Sequence, residues 1–152
     1  MRNLIKSLHK VMGVDPTWFK SYLSDRQQCV KTNNATSSFE HIKSGVPQGS
    51  LIGPLLYLCY SNDMHLSVKN ELLLYADDSV ILVYDRDPNV ISRKLAEDLS
   101  TCNEWLIDNK LSLHVGKTEC ILFGSSRKLK HVNKFEVQYK GKIIVGQKVL
   151  SI

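Results

Sequence analysis

The sequence predicts an α+β fold in which helices pack on one face of a mostly antiparallel sheet. The 152 residues are 43% hydrophobic and 23% charged, which is ordinary for a globular domain and excludes collagen-like, disulfide-scaffold and disordered chains. Apolar residues recur at helical spacing in some segments and at strand spacing in others. The extended segments come in neighbouring pairs with short turns between them, and this arrangement favours antiparallel hairpins.

The first third of the chain predicts two helices and a hairpin. Apolar residues recur every three or four positions over residues 4–12, as in an amphipathic helix. Asp15 and Pro16 then offer an N-cap and a first-turn proline for a second helix. Two extended segments, 28–32 and 39–43, flank a turn-rich stretch and predict a hairpin. The residues of the second helix that we expect in the core are Trp18, Phe19, Tyr22 and Leu23.

The middle of the chain changes from helical to strand spacing. Residues 44–53 form a glycine-punctuated loop, and residues 54–65 have the spacing of a helix. Two short apolar runs follow, 72–75 and 80–84, with Ala-Asp-Asp-Ser at positions 76–79 between them. This pattern predicts a tight hairpin that carries two carboxylates at its tip.

After the hairpin, a long helix and an extended segment are expected. Asp87 and Pro88 provide an N-cap and a first-turn proline for an amphipathic helix that ends near Asn109. Apolar and polar residues alternate over 111–115, which predicts a half-buried strand, and residues 119–123 continue extended.

The net charge of +5 is concentrated near the C-terminus. Up to Gly116 there are 12 basic and 13 acidic residues, whereas from Lys117 onward 8 basic residues face two acidic ones. A basic segment attracts polyanions, most commonly nucleic acid, although it can also be a plain solvated face. The expected contacts are Arg127, Lys128 and Lys130.

Other sequence features bear on membranes, compartment and redox state. No apolar run approaches the roughly 20 residues of a membrane span, and Lys6 and Lys10 interrupt any signal-peptide core. We therefore expect an intracellular protein, nuclear or cytoplasmic, that is not secreted. The four cysteines are scattered, so they are expected to be reduced, buried residues and not metal ligands.

The adjacent Asp77 and Asp78 are the strongest candidates for chemistry. Two carboxylates between hydrophobic strands are expected to lose hydration and repel each other, so a cation should compensate them. An all-oxygen site suits Mg²⁺ or Mn²⁺. The alternative is that both are ordinary turn residues.

Together, the glycine loop and the hairpin resemble the reverse transcriptase domain of LINE-type (non-LTR) retrotransposons, close to the jockey-like group. Three motifs in the family's order carry the resemblance, which covers about residues 1–124. They are Ser44-Gly45-Val46-Pro47-Gln48-Gly49-Ser50, Tyr75-Ala76-Asp77-Asp78, and Asn109-Lys110-Leu111-Ser112-Leu113 leading to Lys117-Thr118.

The resemblance implies a reverse transcriptase palm with RNA template, DNA primer and deoxynucleoside triphosphates as partners. It implies that Asp77 and Asp78 hold Mg²⁺ or Mn²⁺ as catalytic ligands. It also implies that Lys117 protonates the departing pyrophosphate as a general acid. The residues that it implies for template and substrate binding are Gly45, Pro47, Gln48, Gly49, Tyr75 and Ala76.

One feature of the family is absent. Its first catalytic aspartate lies on an earlier strand, but residues 1–14 contain neither Asp nor Glu. We therefore expect residues 1–124 to be a partial palm, and residues 125–152 a basic segment that leads toward an absent primer grip and thumb. Such a chain is not expected to polymerise DNA alone. Two alternatives are a non-catalytic nucleic-acid-binding remnant and the product of a decayed element without a selected function.

Overall fold

The computed structural model divides into two compact units, residues 1–62 and 63–152. The predicted helix over 4–12 lies outside the described residues. The residues that the structure describes are 13, 15, 17–42, 45–47 and 49–150.

The first unit contains two short helices and a small hairpin. Helix α1 (Thr17–Leu23) begins after Asp15, whose carboxylate accepts hydrogen bonds from the Thr17 amide (2.9 Å) and hydroxyl (2.6 Å). The predicted N-cap is therefore confirmed. Strands β1 (Gln27–Gln28) and β2 (Glu40–His41) pair antiparallel. Helix α2 (Gly53–Ser61) has a proline in its first turn.

The predicted first hairpin is confirmed, but its paired strands are shorter than the extended segments predicted from the sequence. Both strands are fully exposed, and they gain only one further bridge, from Lys31 to Thr36. Longer pairing is not stabilised there, because the two strands bury little apolar surface. The core expectation for α1 holds for Leu23, which is 2% exposed, and is wrong for Trp18, which is 59% exposed. The Trp18 ring lies instead along the surface, stacked on Tyr22.

The second unit begins with a 3₁₀ turn (Met64–Ser67) and the predicted hairpin. Strands β3 (Glu71–Tyr75) and β4 (Asp78–Leu82) pair antiparallel over their whole length. Helix α3 (Pro88–Asp108) follows, and the Asp87 carboxylate accepts the Asn89 amide at 2.9 Å. The hairpin, the long helix and its N-cap were all predicted. No described helix is long and apolar enough to cross a membrane.

The rest of this unit departs from the predicted sheet. Strands β5 (Cys120–Gly124), β6 (Glu136–Tyr139) and β7 (Lys142–Leu150) form a sheet of order β5-β7-β6. Strand β7 is antiparallel to β6 and parallel to β5. The α+β class is confirmed, and three of the four strand pairs among the described residues are antiparallel. The expectation of a single sheet is wrong, because these strands form three separate sheets. The parallel pair is possible because helix α4 (Ser126–Leu129) and β6 lie in the connection.

The predicted strand over 111–115 is also wrong. Lys110 takes a left-handed conformation (φ 60°) as the chain leaves α3, and a 3₁₀ helix (Val115–Lys117) follows. The Leu111 amide donates to the Leu106 carbonyl at 2.7 Å. This bond keeps the chain folded back on the helix end, as in a helix C-cap.

The core of the second unit lies between α3 and the three-stranded sheet. Gly146 fits this packing closely, because a Cβ atom there would lie 2.5 Å from a ring carbon of Phe135. The buried residues of this core are Leu99, Leu122, Leu129, Phe135, Val137, Tyr139 and Ile144.

The four cysteines form no disulfide. Cys59 and Cys102 are buried and Cys120 is half-buried. Burial raises the pKa of these three thiols, which favours the protonated form. Cys29 is exposed, so the expectation that all four are buried is wrong for this residue.

A buried carboxylate joins α3 to the start of the hairpin. Asp98 is 1% exposed. It accepts hydrogen bonds from the Lys69 amide (2.9 Å), the Asn70 amide (3.2 Å) and the Asn70 side chain (2.7 Å). Bonds to a charged acceptor are stronger than neutral ones, so Asp98 fixes the segment from which β3 starts.

We expect Asp98→Ala to lower the free energy of unfolding by about 2–4 kcal/mol, because it leaves two backbone amides without their acceptor. Urea denaturation measures this change. The neighbouring Glu97 pairs only at the surface with Arg93 and Lys69, so Glu97→Ala should cost less than about 1 kcal/mol. Equal losses for the two variants would contradict the role of Asp98.

Candidate functional site

The site in the second unit is built on the turn of the β3–β4 hairpin. Tyr75 and Asp78 are the last paired residues, and Ala76 and Asp77 form the two-residue turn. Ala76 has a left-handed backbone (φ 51°), which is rare for a residue with a side chain and costs about 1–3 kcal/mol. The register places Asp78 on the strand and Asp77 immediately before it.

Both carboxylates are open to solvent. Asp77 and Asp78 are exposed, and so is the Tyr75 ring, at 84%. The expectation that the carboxylates lose hydration as the hairpin packs is therefore wrong, because they lie at the tip, beyond the packed part of β4. Water screens the electrostatic repulsion between the two carboxylates. The exposed pair therefore remains available to a ligand.

A cavity of about 620 Å³ connects the hairpin to the segment after α3. Asp77, Asp78 and Lys117 all line it. Lys117 is the last residue of the 3₁₀ helix, and its amide donates to the His114 carbonyl at 2.9 Å. The structure thus brings together the three residues expected to be catalytic, although 39 positions separate Asp78 from Lys117.

Most of the residues that line this cavity are apolar, and many of them lie in β4, α3 and β5. A mostly apolar cavity with a few charged groups is the usual form of a small-molecule site. The apolar residues of α3 that line it are Ile91, Leu95, Leu99, Cys102 and Leu106.

The donor set at the hairpin fits a hard divalent cation. Within the part of the chain that the structure describes, no group of three His, Cys, Asp or Glu side chains could hold a metal ion. Asp77 and Asp78 therefore offer two carboxylates, with no third described His, Cys, Asp or Glu side chain beside them. Mg²⁺ commonly binds to one or two carboxylates and keeps waters and substrate phosphates as its other ligands. An exposed pair of this kind fits that requirement.

The glycine loop belongs to the first unit. Gly45 (φ 85°) and Gly49 (φ 76°) both have left-handed backbones, and a Cβ atom on either would meet no atom of the described residues within 4 Å. The backbone of the loop is therefore open to a close approach at both glycines. Pro47 accepts the Ser50 amide at 3.3 Å. Gln48 is also expected to bind substrate, and it lies outside the described residues.

Two side chains that sequence reasoning missed hold this loop. The Arg26 guanidinium donates to the Gly45 carbonyl at 3.3 Å. The Tyr22 and Ser50 hydroxyls are 2.6 Å apart and share a hydrogen bond. Both contacts join residues at least 19 positions apart, so no local pattern could have indicated them.

The three expected nucleic-acid contacts lie on or next to helix α4. Arg127 and Lys128 are in the helix, Lys130 follows it, and all three side chains are exposed. None of them forms an ion pair with another described residue. Their charges are therefore not compensated within the described chain.

Comparison with known proteins places these features in one family. Residues 1–144 match the family described as reverse transcriptase (RNA-dependent DNA polymerase). The chain is 37% identical over 100 residues to the probable RNA-directed DNA polymerase from transposon BS of Drosophila melanogaster, covering 58% of this chain and 11% of that protein. It is 31% identical over 114 residues to the X-element polymerase of the same species, covering 72% and 13%.

A third relative is the RNA-directed DNA polymerase from mobile element jockey of Drosophila funebris. It is 31% identical over 112 residues, covering 68% of this chain and 12% of that protein. The chain thus spans only 11–13% of the length of these curated relatives. No solved structure matches it.

Proposed function

The chain belongs to the reverse transcriptase (RNA-dependent DNA polymerase) family, and we propose that it supplies the paired carboxylates and the general acid of RNA-directed DNA synthesis. One observation carries this proposal: Asp77, Asp78 and Lys117 line a single cavity. Nucleotidyl transfer needs groups of both kinds near the reacting phosphate, carboxylates for the metal ions and a proton donor for the leaving group. As the chain covers so little of its relatives, the activity, the palm architecture and the substrates all belong to the proposal.

In this reaction the primer 3′ hydroxyl gives up its proton to water, and its oxygen bonds to the α-phosphorus of the incoming nucleotide while the bond from that phosphorus to pyrophosphate breaks. Asp77 and Asp78 would hold Mg²⁺, which supplies activation of the hydroxyl and neutralisation of phosphate charge when it is bound. Lys117 would give the departing pyrophosphate a proton from its ammonium group. The exposed carboxylates and the exposed lysine are consistent with a substrate that enters from solvent.

The remaining sequence motifs take supporting roles in the proposal. The open backbone at Gly45 and Gly49 would contact the template and the incoming nucleotide, together with Pro47 and Gln48. Tyr75 and Ala76 would lie beside the same substrates, since they precede the carboxylates on the hairpin. We assign these roles to residues 1–124 as the palm part of the chain and treat residues 125–152 as a basic extension.

A second candidate function is nucleic-acid binding without chemistry. The exposed, unpaired charges of Arg127, Lys128 and Lys130 favour it. Each phosphate that a cation neutralises contributes about −0.9 for duplex DNA, or −0.7 for a single strand, to the slope of log affinity against log salt. Replacing all three by Ala should therefore flatten this slope by about two units for a single strand and about three for duplex DNA, as measured by fluorescence anisotropy in a salt series.

The metal site can be tested on this chain directly. We expect Mn²⁺ to broaden the NMR signals of residues 75–79 selectively and Mg²⁺ to reverse the effect by competition, because both ions prefer carboxylate oxygen. The double variant Asp77→Asn/Asp78→Asn should lose the broadening. Glu71→Gln removes one carboxylate at the opposite end of the same hairpin, and this variant should retain the broadening. Broadening centred elsewhere in the wild-type chain would contradict the assignment.

A further inference from the structure

We infer that a second cavity of the same unit binds single-stranded nucleic acid, with a base stacked on Phe123 and phosphates on Arg86 and Lys128. This cavity, the basic groove, has a volume of about 1160 Å³ and is lined by the start of α3, the end of β5, the α4 region and β6. Asp77, Asp78 and Lys117 do not line it, whereas Phe123 lines both this groove and the cavity of the proposed polymerase centre. The groove therefore adjoins that centre, and Arg86 and Lys128 line the groove alone.

The aromatic side chain of the groove is unusually open for its place in a strand. Phe123 lies within β5 and is 65% exposed, whereas its neighbour Leu122 is 5% exposed and packs in the core. Such exposure leaves most of a large apolar ring accessible to a ligand. A nucleobase is the natural occupant beside cations, because each unpaired base has a flat π-face that stacks on an aromatic ring.

The charge of the groove favours a phosphate backbone. Its lining includes two carboxylates, and each is already compensated by a lysine: Lys94 Nζ lies 2.9 Å from Asp85 Oδ2, and Lys134 Nζ lies 2.5 Å from Glu136 Oε1. The hydrogen bond from Lys94, followed by those from backbone amides, lowers the pKa of Asp85. Asp85 thus stays charged and keeps Lys94 in place.

Two further cations of the lining remain uncompensated. Arg93 pairs with Glu97 at 2.7 Å, but Arg86 and Lys128 form no ion pair with any residue that the structure describes. Both are exposed. Together with Phe123 they form the combination of cations and an aromatic ring that binds single strands without strict sequence preference.

Polar side chains complete the groove. Asn89, Asn133 and Gln138 also line it, and amides can donate to and accept from base edges. A duplex hides the faces of its bases, so stacking on Phe123 requires a single strand. The groove should therefore prefer single strands, whereas the positive charges near the C-terminus should attract any polyanion.

The test measures binding of the full chain to a fluorescently labelled, unstructured RNA of about 12 nucleotides and to a duplex of the same length. Phe123→Leu should weaken binding of the single strand about tenfold or more and leave duplex binding unchanged. Phe123→Tyr keeps a stacking ring and should restore the affinity. Phe39→Leu is the matched control, because Phe39 is equally exposed at 65% but lies in the first unit.

The phosphate contacts are tested in the same assay. Arg86→Gln with Lys128→Gln should flatten the salt slope for the single strand by about 1.4 units, whereas Lys69→Gln, an exposed lysine outside the groove, should leave it nearly unchanged. The inference is overturned if the wild type fails to bind the RNA. It is also overturned if Phe123→Leu behaves like Phe39→Leu, or if duplex and single strand lose affinity equally. If the wild-type hairpin fails to bind metal, the proposed polymerase centre is contradicted, and the inference about the groove is unaffected.

Discussion

Asp77→Asn and Asp78→Asn are each expected to lower template-directed DNA synthesis by about a thousandfold or more. A metal ion contributes several kcal/mol of transition-state stabilisation, and each 1.36 kcal/mol is about a factor of ten in rate. An amide is a neutral and weaker ligand for Mg²⁺ than a carboxylate. Asp77 lies in the turn and Asp78 on the strand, so the two carboxylates occupy different positions and neither is expected to take the place of the other.

The measurement requires a polypeptide that polymerises DNA. We would exchange the matching segment of the jockey polymerase for this chain and follow extension of a DNA primer on an RNA template in single turnovers. Glu71→Gln removes the same charge from the other end of the hairpin and should retain nearly the full rate. A chimaera that remains fully active with Asn at position 77 or 78 would exclude that aspartate from the reaction.

Local patterns predicted the hairpin and the long helix correctly. The β3–β4 hairpin joins two apolar runs through a two-residue turn, and α3 has both an N-cap and a continuous apolar face. In these elements the turn chemistry, the capping and the hydrophobic spacing agree, so neighbouring residues determine the structure.

Contacts between distant residues account for what the sequence did not predict. The parallel pairing of β5 with β7 joins residues 26 positions apart, such as Cys120 and Gly146, and no periodicity encodes a partner at that distance. The alternation over 111–115 indicated a strand, but the end of α3 holds this segment in another conformation. Tertiary structure overrides local propensity at both places.

The candidate site was likewise predicted from local sequence in one part and not in another. That Asp77 and Asp78 lie at a turn follows from the pattern of residues 72–84. The role of Lys117 came from the family resemblance alone, since a single lysine near a strand carries no local signal. The cavity that it shares with the carboxylates is the physical observation that supports this role. The exposed Phe123 of the basic groove gave no signal, because exposure depends on how the sheet and α3 pack.

Lys117→Ala is expected to lower the rate of the chemical step by about 10²–10⁴, the usual contribution of a positioned general acid. The pyrophosphate must accept a proton as it leaves, and without the ammonium group that proton must come from a less well placed donor such as water. Nucleotide binding should change less, because the proton moves in the transition state and not in the ground state. The effect should therefore fall mainly on kcat.

Single-turnover extension by the same chimaera, measured over a range of nucleotide concentrations, tests this role. Lys117→Ala should lower the maximal rate and change the nucleotide concentration at half-maximal rate much less. Lys69→Ala removes another exposed cation of the same unit and should retain both values. If Lys117→Ala reacts as fast as Lys69→Ala, or loses mainly nucleotide affinity, the cavity merely contains a lysine and the proton comes from another donor.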